Sequence, residues 1–258
     1  MPEQYKGFPE YYNQCLVALF GHPFFEWKLD HIYDLEAGQI CETVVNYNVD
    51  KTYQLILDHH EPMSEFDSTW KLAPLSCRMP IRNERLQAFN LETNERFIIR
   101  RSKLRYIILL SKVEDDFFIP NNKDKILKNW IILPLFTYKH KHTQSFILND
   151  QRLLSPNRFY VPPSFTVGLR LPEESAARYN LIQQSVDRDI HPISALNDAL
   201  KMQKGIKISK EALKLMVYHY FKNLNILNDL NEGSDSIESQ YDVFKSVVNE
   251  LIDANMMR

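Results

Sequence analysis

The chain has 258 residues, 44% hydrophobic and 25% charged, with a formal net charge of −2. This is ordinary for a globular protein of one large domain, or a domain with an appendage, and it excludes polyanion binding through bulk charge alone. Six glycines argue against a glycine-rich nucleotide-binding fold. Three distant cysteines (Cys15, Cys41, Cys77) without a CxxC fit a reducing compartment and give no structural zinc site.

The N-terminus lacks a charged n-region followed by an apolar h-region, and no stretch approaches the ~18 apolar residues of a membrane span. A cytoplasmic location without membrane contact is expected.

In chain order, Tyr11, Tyr12, Leu16, Val17, Leu19 and Phe20 recur at helical spacing, and Gly21-His22-Pro23 stops that helix. Gly38 is a turn glycine that leads into a strand at Cys41–Tyr47, with a second at Thr52–Leu57. Residues 58–95, with prolines at 62, 74 and 80, read as an insertion with short strands. A short strand is expected around Phe97-Ile98-Ile99. Next comes Lys103–Lys112, whose unbroken apolar run predicts a strand buried on both faces.

Glu114-Asp115-Asp116 reads as an acidic turn, followed by a buried strand at Trp130–Phe136. Ser145–Leu148 and Arg158–Val161 are read as two more strands, ended by Pro162-Pro163. Several short strands with polar turns point to a small barrel or a strongly bent sheet. From Glu173 the expectation is helix. Ser209 is placed to cap one helix (Leu213, Met216, Val217, Tyr220, Phe221, Leu224). A second, from about Ile237, carries Tyr241, Phe244, Val247, Val248, Leu251 and Ile252.

No GxxxxGK[ST], GxSxG or HExxH is present, which argues against an NTPase, an α/β-hydrolase and a zincin. Three pieces do carry a resemblance. Glu36-Ala37-Gly38-Gln39-Ile40, Arg105–Ser111 and Leu133-Pro134-Leu135-Phe136-Thr137 follow the order and texture of the MazF/PemK toxin family. Its motifs are a G-D-I strand entry, an R-P-led apolar strand ending in serine, and a strand ending in V-P-L-[ST]-[ST]. The resemblance spans roughly residues 35–165.

It implies an SH3-like small β-barrel at 35–165; with the insertion at about 58–95 and the helical readings at either end, the expected class is α+β, with an N-terminal helical segment at 1–34 and a C-terminal helical extension at 166–258. It also implies a toxin–antitoxin endoribonuclease that cleaves single-stranded RNA without a metal or other cofactor. Arg105 matches the family's catalytic arginine and Thr137 its catalytic hydroxyl. A guanidinium can hold two oxygens of the phosphorane formed by 2′-OH attack. The chain departs from the pattern where Tyr106 replaces the proline, Gln39 replaces the acidic residue, and about sixty residues separate the first two motifs. These departures motivate a second reading, a non-catalytic nucleic-acid-binding or protein-interaction subunit that keeps the barrel. For Arg105 itself the other reading is an arginine snorkelling at a strand end or pairing with Glu114.

Basic residues cluster in the same region. Arg78, Arg82, Arg85, Arg100, Arg101, Lys103, Lys139 and Lys141 are candidates for tracking a phosphate backbone, with Phe136 and Tyr138 for stacking. His140 and His142 are candidate general acid–base groups, because imidazole titrates near neutral pH. His59-His60 and His140/His142 each lack a third partner at metal-site spacing. The two C-terminal amphipathic helices either cover one face of the barrel or bind an antitoxin, a complex subunit or a second copy of the chain.

Overall fold

The computed structural model describes residues 8–28, 30–47, 53–59, 69–74, 98–99, 102–118, 126–139, 141–163, 174–197, 202–224 and 234–256. In chain order the elements are α1 (Pro9–Phe20), β1 (Phe25–Lys28), β2 (Ile40–Asn46), β3 (Tyr53–His59), β4 (Thr69–Pro74), β5 (Ile98–Ile99), β6 (Ser102–Phe118), β7 (Ile126–Thr137), α2 (Gln144–Gln151), β8 (Arg158–Val161), β9 (Ser175–Arg178), β10 (Gln183–Val186), β11 (His191–Pro192), β12 (Ser194–Asn197), β13 (Met202–Ile208), α3 (Lys210–Asn223) and α4 (Ser234–Met256).

The chain divides into two compact units, Val44–Lys103 and the remainder, Met1–Thr43 with Leu104–Arg258. The smaller holds an antiparallel sheet in the order β4-β3-β5. The larger is built on a sheet in the order β11-β2-β6-β7-β9-β8, with β10 also on β7. A further sheet runs β1-β13-β12. The class is α+β, and no closed barrel is formed among the described residues.

The Lys103–Lys112 segment lies in the middle of that sheet. Ile107, Ile108 and Leu109 have no exposed surface, as expected for a strand covered on both faces. β7 receives two partners along one edge, β10 at Asn129–Ile132 and β9 at Leu135–Thr137. Pro134, which has no N–H to donate, falls between those two stretches, where a central strand tolerates it.

Three local expectations are corrected. Ser145–Leu148 belongs to helix α2, because Thr143 caps it by accepting the Phe146 N–H at 3.2 Å and the buried positions Ile147, Leu148, Asp150 and Gln151 follow helical spacing. A short apolar run such as Phe146-Ile147-Leu148 does not by itself separate strand from helix. Glu114-Asp115-Asp116 does not turn the chain. β6 runs on to Phe118, with a register irregularity between Val113 and Phe117. Where α-helix was expected from Glu173 on, the described residues between Ser175 and Ile208 form β9 to β13 with short 3₁₀ turns at Tyr179–Leu181 and Asp187–Asp189, held by pairing to β1, β2, β7 and β8 and not by local propensity.

The helices pack inward. Tyr12 of α1 meets Tyr160 at 5.0 Å and Phe244 of α4 at 5.1 Å between ring centroids, and all three are buried. On α4 the buried face is Tyr241, Phe244, Val248 and Ile252, as the sequence spacing indicates. On α3 it is Ala212, Leu215, Met216, Tyr218 and His219, one step round from the expected stripe, and Leu224 is exposed.

Gly38 ties these parts together. Its N–H donates to Leu109 O at 2.7 Å, and its carbonyl accepts from the Ile208 N–H at 2.8 Å. Its φ is +85°, and a Cβ would stand 3.1 Å from the Ile208 carbonyl oxygen. Gly38→Ala therefore meets both a left-handed backbone and a crowded contact, and is expected to destabilise by about 1–3 kcal/mol. Urea unfolding checks this, with a lowered midpoint at unchanged slope.

Candidate functional site

The β6–β7–β9–β8 ladder places several cations on one pocket. Continuing the Ile107–Pro134 register by two residues along each strand sets Arg105 opposite Phe136, and the guanidinium lies 5.0 Å from that ring's centroid. Phe136 pairs with Ala176 on β9, and two residues on, Arg178 pairs directly with Arg158 of β8. Arg178 also lies 5.0 Å from the Phe136 centroid. Because strand residues two apart share a face, Ala176 and Arg178 face the same way and the small Ala176 side chain leaves room between larger neighbours.

The resulting pocket has a volume of about 420 Å³. Among the described residues its cations are Arg105, Arg158, Arg178, Lys139 and Lys141, joined by Thr137, Tyr138 and His142 and by the rings of Phe136 and Phe146, and no described carboxylate lines it.

Helix α2 closes one side and supplies the counter-charge from behind. Asp150 is fully buried. It accepts the Tyr138 hydroxyl at 2.7 Å, the Arg158 Nε–H at 2.8 and 2.9 Å to its two oxygens, and the Ser155 hydroxyl. Burial, with the Asp150 carboxylate beside it, pushes the Tyr138 hydroxyl well above the ordinary tyrosine value, so it remains a donor. Arg158 also stacks over Phe146 at 4.2 Å, and His142 stacks on the same ring at 5.0 Å. His142 Nδ1 lies 2.8 Å from the Lys139 backbone N–H, which donates to it when the nitrogen is bare, and 3.2 Å from the Lys139 carbonyl, which accepts from it when the nitrogen is protonated.

Of the residues singled out from sequence, Arg105, Phe136, Thr137, Tyr138, Lys139, Lys141 and His142 converge on this pocket. Lys103 does not line it and instead stands 5.3 Å from the Tyr47 ring centroid. His140, Arg78, Arg82, Arg85, Arg100 and Arg101 lie outside the described residues, as do His60 and the side chains of His59 and Glu114. Among the described residues no group of three or more His, Cys, Asp or Glu could hold a metal ion. Sequence reasoning missed Arg158, Arg178, Asp150 and Phe146. The signal for the two arginines was a basic residue at the start of one short strand and the end of another.

Gln39, where the family resemblance has an acidic residue, is fully buried. Its side-chain amide donates to Ile32 O at 2.7 Å, and its oxygen accepts the Glu36 N–H at 3.2 Å. It acts as a clamp on the turn before β2.

His219 extends the Asp150 network toward the helices. Its Nε2 lies 2.9 Å from the Ser155 carbonyl and its Nδ1 2.6 Å from the Tyr241 hydroxyl, so the neutral ring donates to the first and accepts from the second. Burial lowers its pKa, and Lys245 acts in the same direction while the Ser155 and Arg158 backbone contacts and Asp150 oppose.

The fold and the pocket together define an α+β protein with a cationic cleft on one face of its central sheet. Compared with protein-family models, curated proteins and solved structures, the chain matches none.

Two predictions follow from this geometry. Asp150→Ala leaves Arg158, Tyr138 and Ser155 without their shared acceptor and is expected to destabilise by about 3 kcal/mol, read by urea unfolding. The His219 contribution is complete above the unfolded value of 6.5 and is lost as pH falls from there through the lower folded pKa, because the unfolded chain takes up the proton first. Stability measured from pH 7.5 down to pH 5 should fall less steeply in His219→Gln than in the parent chain.

Proposed function

We propose that the cleft binds the phosphodiester backbone of single-stranded RNA and cleaves it as a metal-independent endoribonuclease of the MazF/PemK type. The observation that carries this reading is the convergence of Arg105, Thr137 and His142 in one pocket with further cations around them. The adjacency of β2, β6 and β7 supports treating them as the family's SH3-like strands.

In this reading solvent water takes the 2′-OH proton as that oxygen attacks the adjacent phosphorus and forms a pentacoordinate phosphorane. Arg105 holds two of its non-bridging oxygens through paired charge-assisted hydrogen bonds. The Thr137 hydroxyl donates to the same phosphate. The protonated His142 ring passes its Nε2–H to the departing 5′-oxygen as the bond to phosphorus breaks, leaving a 2′,3′-cyclic phosphate, and solvent then reprotonates the ring. Phe136 and Phe146 offer ring faces on which bases stack, and Lys139 and Lys141 add sequence-independent attraction for the strand.

The buried, fully engaged amide of Gln39 favours a second reading, in which the protein binds RNA or another nucleic acid without turnover, or serves as a protein-interaction subunit. Incubation of the purified chain with single-stranded RNA in EDTA separates the two. The nuclease reading expects cleavage, reduced about 10²–10³-fold in Arg105→Ala and about tenfold in Thr137→Ala. Salt-sensitive binding with no product would sink the nuclease reading and favour the second.

A further inference from the structure

Arg158 and Arg178 occupy directly opposed positions in the β8–β9 ladder. Opposed residues in an antiparallel pair have Cβ atoms ~4.5–5.5 Å apart, and like charges there are destabilising. The compensation is one-sided. Arg158 is engaged by Asp150 and by Ser155 Oγ at 3.0 Å. Arg178 Nε is buried and has no hydrogen-bond partner among the described residues. Burial, with Arg158 beside it, lowers the Arg178 pKa from its ordinary value, against a smaller opposing effect of Asp150.

Both arginines line the pocket, and among the described residues no carboxylate lines it. A buried N–H without an acceptor carries a desolvation penalty, and a second cation alongside adds repulsion. That repulsion is relieved by a single oxyanion held between the two side chains. A planar guanidinium fork suits phosphate in particular, since it can meet two oxygens at once. Phe136 holds Arg178 and Arg105 against the same ring, which fixes this second cation close to the first.

We propose that Arg158 and Arg178 form a phosphate-binding subsite, separate in its residues from Arg105 and Thr137, that holds a phosphate flanking the one at Arg105. The flanking identity rests on the nucleic-acid reading above, whereas the anion subsite stands on its own geometry. Asp150 is the positioning residue, since it fixes Arg158 Nε from behind the pocket.

The test uses the full chain with inorganic phosphate, followed by ³¹P line broadening, and with a single-stranded oligodeoxynucleotide, which lacks the 2′-OH and is not cut. Phosphate binding is expected to survive Arg105→Ala and to weaken about tenfold or more in Arg178→Gln, with thermal melts confirming that each variant folds. On the oligonucleotide, Arg178→Gln should reduce the slope of log K against log salt by about 1. Should Arg178→Gln not fold, Arg178→Lys keeps the charge without the fork and is expected to bind phosphate more weakly than the parent chain.

No phosphate binding by the parent chain overturns the subsite, as does binding abolished by Arg105→Ala and unchanged by the Arg178 variants. Phosphate that the oligonucleotide fails to displace overturns the assignment to a phosphate of a strand. Intact phosphate binding with no RNA cleavage removes the nuclease reading and leaves the subsite in place.

Discussion

The antiparallel pairing of β6 with β7 is the constraint on which the larger unit depends. It buries Ile107, Ile108 and Leu109 against Leu133 and its neighbours, and no other pair of strands has as long a register among the described residues. Side-chain direction alternates along a strand, so a one-residue slip would exchange the core face for the opposite one. The same register that fills the core also brings Arg105 over Phe136. Core packing and pocket geometry are therefore fixed by one ladder.

A second constraint is charge. Five cations around one pocket would repel one another and pull water into the sheet edge, and the fold sets a fully buried carboxylate behind them. Asp150 gathers donors from β8, from the Ser155 turn and from Tyr138 just after β7, which pins α2 to the sheet. Buried charges of this kind are tolerated when every lone pair finds a donor. Through the Ser155 carbonyl the network passes to His219 and Tyr241, so α3 and α4 are registered against the same polar centre. The arrangement leaves a neutral interior and a cationic rim.

The aromatic core explains why the C-terminal helices are needed. Tyr12, Tyr160 and Phe244 form edge-on contacts among α1, β8 and α4, and burying each such ring contributes on the order of 1.5–3 kcal/mol. The apolar stripe of α4 is thereby covered within the chain itself.

The sequence by itself determined those features that rest on local chemistry. The unbroken apolar run Tyr106–Leu110 pointed to an interior strand, the Gly21 stop and the Ser209 cap set helix ends, and Gly38 marked a turn that favours glycine. Half of the pocket was legible for the same reason, since Arg105, Thr137, Lys139, Lys141 and His142 sit at or just beyond the ends of recognisable strands. Tertiary structure decided the rest. Helix or strand at Phe146-Ile147-Leu148 turned on the Thr143 cap and on packing, and the Ala-rich β9 exists because β7 and β8 offer their edges to it. Arg158 and Arg178 lie twenty residues apart in the chain and meet only through that pairing. Which charges share a pocket is a property of register between strands, and a single sequence read along its length carries no direct record of it.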